Sequence, residues 1–334
     1  MLLIAAGVLA DLAAQDIARL RLAAMLAVLV AGLVSGYLAN NRLGLPEHYA
    51  KKIMTAVLVS FNWLIALLVI WRMQLSSQLV WLPIVGLVLM LAITALSTAL
   101  FYSLDLDRRS RLTLILAGGL SNVGYTGGAF VCYALFGTEG LGLANIYLVL
   151  SLPAAYLIFL PLLKAHELRA KHSNAKFKLK QVLDLRFLAI PAIIAAIILN
   201  LTGIKMPDFI PKLHIIDIFV YIASSLAFFA IGLRVNLSRL KNYVNLYFLL
   251  IVVKFAITPA AALLLIWLLT LSGQNLTEPA QKVIIVLSAT PSAVLMVTMS
   301  NVFDLDGPLA SALWVVTMVI FVVIVVPVLF FVFT

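Results

Sequence analysis

The chain has 334 residues, 64% of them hydrophobic and only 11% charged, with a formal net charge of +10 and a mean hydropathy of +1.16. A soluble domain of this length carries about 25% charge, so a soluble fold is excluded and an all-α polytopic membrane protein is expected. The basic excess fits loops on the cytoplasmic side of a membrane and calls for no nucleic acid. Cys132, the sole cysteine, excludes an intrachain disulfide.

Residues 1–20 open on an apolar run that gives way to Asp11, Gln15, Asp16 and Arg19. A signal peptide carries its positive charge before the apolar stretch, and here none precedes it. The segment reads as an N-terminal interfacial helix rather than an additional span.

Ten apolar stretches follow, at about 22–40, 54–73, 78–104, 112–136, 142–163, 187–202, 215–234, 244–270, 281–300 and 309–333. Each approaches or exceeds the roughly 20 residues that cross the hydrocarbon. Connections after the odd-numbered spans, with Arg234 at a span end, hold 16 Lys and Arg, against 6 in the leading segment and the connections after the even-numbered ones, with Arg72 and Lys282 at span ends. Basic loops stay in the cytoplasm, so a multi-pass cell (inner or plasma) membrane protein with both termini outside is expected.

The chain divides into a five-helix unit at 21–165, a basic cytoplasmic loop at 166–186 and a second five-helix unit at 187–334. Asn41, Leu43, Gly44, Leu45 and Pro46 after span 1 are echoed by Leu201, Gly203, Ile204, Met206 and Pro207 after span 6. An odd number of spans per half makes the second half enter from the opposite side. The expectation is a 5+5 inverted repeat.

Spans 4 and 9 are interrupted. Gly124, Gly127 and Gly128 loosen the first, around Asn122, Tyr125 and Thr126; Pro291, flanked by Thr290 and Ser292, opens the second. Broken helices are tolerated in a membrane only where protein or a polar cavity shelters the backbone. Matched breaks in two halves point to a transporter's central site, near the midplane. Asn122, an amide that needs partners when buried, is the leading substrate-binding candidate, against a purely structural cap. Half-helix N-termini at the breaks present amides suited to a carboxylate.

Lys254 lies deep in span 8, where an ionisable group is a functional candidate by default; it would offset substrate charge or stand in for a sodium ion. Arg234, at the end of span 7, reads as an interface anchor. Asp105, beside Asp107 and Arg108, is a second charge or coupling candidate. Ser60 and Asn62 of span 2 are read either as cavity-lining or as interhelical hydrogen-bonding groups. No carboxylate sits securely mid-span, and the chain has no zinc spacing, phosphate loop, Ser/His set or paired aspartates. No enzyme activity, cofactor or metal is expected; Na+ or H+ remains a possible coupling ion.

GYLANNRLGLP (36–46), SNVGYTGGAFVCYALFGTEGL (121–141), IPAIIAAIILNLTGIKMP (190–207), LAFFAIGLRV (226–235), KFAITP (254–259) and ATPSAVLMVTMSNVFDLD (289–306), with Thr317 and Pro327, occur in this order. In that order and spacing the sequence resembles the auxin efflux carrier family, including its bacterial malate or malonate permease-like members, over roughly 22–333. The resemblance implies a scaffold of spans 1, 2, 6 and 7, and a transport domain of spans 3, 4, 5, 8, 9 and 10 whose discontinuous helices 4 and 9 cross at the site. It also implies substrate contact at Asn122, a crossover proline at Pro291, a scaffold-side contribution near Ser60, a recurring basic position at Lys254, and a homodimer working without sodium.

Two departures stand out: Ala129 occupies a position where the family usually has proline, and no proline occurs from 47 to 82. The family's fold resembles that of bile-acid/sodium symporters. The expected function is therefore secondary transport of a small organic anion, a dicarboxylate or auxin-like acid, by alternating access. The alternatives are a sodium-coupled symporter of the bile-acid type and a ligand sensor that does not transport.

Overall fold

A computed structural model describes residues 2–46, 48–170, 188–234 and 243–333, and every regular element among them is a helix. Seven stretches are long and apolar enough to cross a membrane. They lie in α1 (Leu2–Leu43, spanning from Arg19), α2 (His48–Arg72), α3 (Ser77–Tyr102), α5 (Gly128–Ala170, apolar to Leu163), α7 (Ile215–Gly232), α8 (Val244–Leu271) and α11 (Gly307–Phe333). Four further helices are shorter, α4 (Arg108–Gly119), α6 (Ala189–Leu201), α9 (Glu278–Ser288) and α10 (Val294–Val302), and a single helical turn at Phe209–Lys212 precedes α7.

No boundary falls at residue 20. Between Val8 and Arg21 there is no glycine or proline, only good helix formers and a few tolerated polar residues. The first segment is therefore the leading part of α1 rather than a separate helix. At the other end of the first half α5 runs on to Ala170, into the segment expected as loop; the rest of the 166–186 basic loop lies outside the described residues.

Two structurally matched corners organise the helix ends. Gly44 ends α1 with φ +64 and Gly203 ends α6 with φ +72, a left-handed conformation that only glycine adopts freely. The Asn40 amide of α1 donates to Leu233 O at 2.6 Å, closing the end of α7. The Asn200 amide of α6 donates to Trp71 O (2.9 Å) and Met73 O (2.6 Å), closing the end of α2. α1 packs along α7 and α6 along α2, so each asparagine caps the helix that its own helix lies against.

The α1–α7 contact is close enough to require glycine. A Cβ on Gly36 would collide with the Phe229 carbonyl oxygen, and one on Gly232 with that of Leu33. Both obstacles are backbone and cannot rotate away. Gly36→Ala is expected to destabilise the protein by about 2 kcal/mol, in the range of overpacked contacts; thermal unfolding in detergent measures it, and an unchanged midpoint would mean the helices can separate freely.

Helices α8 and α11 each contain one widened, π-type turn, at Val253–Ile257 and Phe321–Val325. Pro259 and Pro327 follow two residues later. A proline lacks the N–H of the ladder and crowds the carbonyl four residues back, so the turn before it opens. Lys254 sits in the first of these turns, and the Thr258 hydroxyl, donating to Val253 O at 2.7 Å, secures it.

Candidate functional site

The chain leaves helical geometry at 120–127, between α4 and α5, and again at 289–293, between α9 and α10. The two interruptions lie against each other. Asn122 N donates to Pro291 O (2.8 Å) and Ala293 N to Leu120 O (3.0 Å), with Ser121 and Ser292 paired as an antiparallel bridge. α5 is itself two helical pieces joined at Gly137 (φ 65°, ψ −150°).

The last carbonyls of a helix have no partner within it, and those of α4 end inside the protein. Ala117 O accepts from the Ser292 hydroxyl at 2.8 Å. Gly118 O and Leu120 O each accept from Lys254 Nζ at 3.2 Å, and the Ser121 hydroxyl oxygen accepts from it at 2.7 Å. Lys254 is fully buried. Its three N–H donors are matched by three oxygens, and its charge stands at a helix C-terminus, the end that favours a cation.

Asn122 is 6% exposed and is held by its own turn. Its amide donates to Thr126 O (3.0 Å), and the Thr126 hydroxyl donates to its side-chain oxygen (2.9 Å). Gly127 N donates to Gly124 O, Gly128 N to Asn122 O and Ala129 N to Val123 O. The opening amides of α5 are thus already engaged by the turn, which narrows the expected role of that helix end as an anion receptor.

A cavity of about 270 Å³ opens beside the interruption, lined by Asn122, Gly124, Tyr125 and Thr126 together with Asn62 of α2 and Thr258 of α8. Tyr147 and Tyr156 of α5, with Leu89, Met90 and Ile93 of α3, make much of it apolar. The Tyr125 hydroxyl is turned to the Asn145 side-chain oxygen, at 3.1 Å. Arg234 is the one charged side chain among the described lining residues.

The other expected site residues are placed differently. Thr290, Pro291 and Ser292 are buried and are not among the lining residues. The Thr290 hydroxyl donates to Leu287 O at 2.8 Å, and Ser292 spends its hydroxyl on α4 while its N–H donates to Thr317 Oγ1 at 3.3 Å. These residues build the crossing. Ser60 is exposed and away from the cavity, because helical residues two apart point to different sides and Asn62 takes the inner one. Asp105 is exposed in the loop before α4. Nearby, Arg109 pairs with the distant Asp304 at 2.9 Å and Asp107 caps α4 through Arg109 N and Ser110 N.

Arg234 is the residue that sequence reading misplaced as an interface anchor. Ala223, Ala227 and Arg234 fall on one face of a 3.6-residue helix, and all three line the cavity. Two small residues leading to a cation on one helix face were the available signal.

A family model described as membrane transport protein matches residues 21–329. No curated protein gives a match.

Proposed function

Because the chain belongs to this membrane transport protein family, the auxin efflux carrier family, we propose that it is a secondary transporter of a small organic anion. The observation that carries the reading is the lining of the cavity: amide and hydroxyl groups, a large apolar share, and Arg234 as the only charge among the described lining residues. Ligand sites are mostly apolar with a few placed polar groups, and a single cation selects a carboxylate over a neutral or cationic solute.

The ten-span, 5+5 inverted-repeat reading is supported by the matched corners. Gly44 with Asn40, and Gly203 with Asn200, occupy equivalent places in the pairs α1–α7 and α6–α2. In this reading α1, α2, α6 and α7 form the scaffold, and the other helices carry the substrate past it in an elevator motion. Residues from both sides line the cavity, so a relative shift of the two bodies would change which side of the membrane it faces. Outward termini, cytoplasmic basic loops, an inner or plasma membrane location and a homodimer belong to the same proposal.

The position of Lys254 supports transport without sodium. Its ammonium group sits on the three oxygens that a bound cation would need at the broken end of α4. Moving one negative charge outward through an inside-negative potential of about 100 mV gains about 2.3 kcal/mol, enough to drive export without a coupling ion. The sodium-coupled alternative would instead have to place its ion elsewhere.

Currents recorded from proteoliposomes on a solid-supported membrane test this. Jumps of malonate or indole-3-acetate should produce a current that is the same in sodium and in choline. Asn122→Ala, which removes the Thr126 contacts and a cavity wall, should reduce it at least about tenfold, equivalent to about 1.4 kcal/mol. A current that requires sodium would favour the symporter, and binding without current would favour a sensor.

A further inference from the structure

At the end of α7 away from Arg234, polar side chains of α1, α5 and α7 meet. The Tyr133 hydroxyl of α5 donates to Asp217 Oδ1 of α7 at 2.5 Å. The other carboxylate oxygen lies 3.0 Å from His214 Nδ1. His214 precedes α7 in a left-handed conformation, φ 50°, which a residue with a side chain adopts at a cost. The Arg21 guanidinium of α1 stands 5.8 Å from the centre of the Tyr133 ring. It also occupies the space beside Gly137, where a Cβ would come within 2.6 Å of Arg21 Nη1. Gly137 is the joint between the two pieces of α5.

Tyr133 is 2% exposed, and a phenol buried that deeply needs a partner for its hydroxyl. A carboxylate is a strong one, and Asp217 lies in the first turn of α7, the helix end that favours its charge. None of Arg21, Tyr133, His214 and Asp217 lines the main cavity. On α7 the cavity is lined by Ala223, Ala227 and Arg234; Asp217 comes six residues before Ala223, about 9 Å further along the axis. The cavity thus takes the Arg234 end of the seam and the Tyr133–Asp217 bond the other.

Resting on the two-body reading above, we propose that Tyr133 and Asp217 form a latch that holds the bodies in the state whose cavity faces the Arg234 end of α7. Asp217 rides on the scaffold and Tyr133 on the transport body, so the bond breaks when one slides past the other. His214 fixes the carboxylate for its partner, and Arg21 supports the phenol ring and the joint at Gly137. The latch sets which side the cavity faces and leaves the choice of solute to the cavity.

A thiol placed in the cavity reads the latch without any substrate. Thr298 lines the cavity, and Thr298→Cys combined with Cys132→Ala makes it the sole thiol of the full-length protein. A membrane-impermeant maleimide then labels it from whichever side the cavity faces. With the latch intact, labelling should be faster in inside-out vesicles, which present the Arg234 end in the proposed orientation, than in right-side-out ones. Tyr133→Phe removes only the hydroxyl and should lower the ratio of the two rates about tenfold, the lower end for a hydrogen bond to a charged group. Asp217→Asn should lower it less, because a neutral amide oxygen still accepts, and the double variant should match Tyr133→Phe alone. One-sided labelling that Tyr133→Phe leaves unchanged, or effects that add in the double variant, would overturn the latch alone. Equal labelling from both sides with the latch intact would overturn the two-body reading and the latch with it.

Discussion

Lys254→Met is expected to reduce transport about a hundredfold, the equivalent of about 2.7 kcal/mol in the barrier, while the protein still folds. Methionine fills the space of the lysine stem but donates nothing. Gly118 O loses the only donor described for it, and Ser121 Oγ loses a 2.7 Å bond. Leu120 O keeps Ala293 N. Each orphaned buried group costs about 1–3 kcal/mol. Removing a buried charge returns part of that, because its desolvation is no longer required, so the net loss of stability should be near 2 kcal/mol. Transport suffers more than stability because the lost cation is the one that closes the α4 end of the crossing. Lys254→Ala offers a sharper version: with the ammonium group gone, its oxygens can take a small cation. Sodium should then stimulate the variant but not the wild type, measured as uptake in sodium against choline. Stimulation of the wild type by sodium would contradict the role assigned to Lys254.

The second large effect is expected at the glycines of the first interruption, and it should differ sharply between neighbours. A Cβ on Gly127 would collide with the carbonyl oxygen of Asn122, the same oxygen that accepts from Gly128 N. That obstacle is backbone, so Gly127→Ala must displace the turn; the expected cost is about 3 kcal/mol, the upper end for overpacking, with loss of transport. A Cβ on Gly124 meets nothing within 4 Å, and Gly124→Ala should stay within about 0.5 kcal/mol, as for other unobstructed substitutions. Thermal unfolding in detergent, with uptake from the same preparations, separates the two. Equal tolerance at both positions would mean that the turn at 122–127 is not formed as described.

The all-helical character, the long apolar stretches and the interruptions at 120–127 and 289–293 were legible in the sequence, because glycine, proline and unbroken apolar runs act locally; of the ten spans expected, seven stretches among the described residues are long and apolar enough to cross a membrane. Gly124, Gly127 and Gly128 in one span and Pro291 in another announce a loss of helical geometry wherever the rest of the chain lies. What closes the broken ends was not legible. Lys254 reaches carbonyls more than 130 residues away in the chain, and nothing near it in sequence says so. For the same reason Thr290 and Ser292, promising as ligand groups by type, turn out to spend their hydroxyls on Leu287 O and Ala117 O. Arg234 was misread because a cation just after a glycine at the end of a span looks like a membrane anchor, whereas its face, shared with Ala223 and Ala227, opens on the cavity. The apparent pairing of Ser60 with Asn62 failed on helical geometry alone.

Counterflow in proteoliposomes tests the central claim most directly. Vesicles preloaded with unlabelled malonate or indole-3-acetate and diluted into the labelled acid should accumulate label transiently, equally in sodium and in choline. Arg234→Gln and Asn122→Ala should abolish the accumulation, and the corresponding neutral amides should not support it. Failure of folded, correctly inserted wild-type protein to exchange either acid, or equal counterflow of the amides, would contradict the account of a cavity built to carry an organic anion.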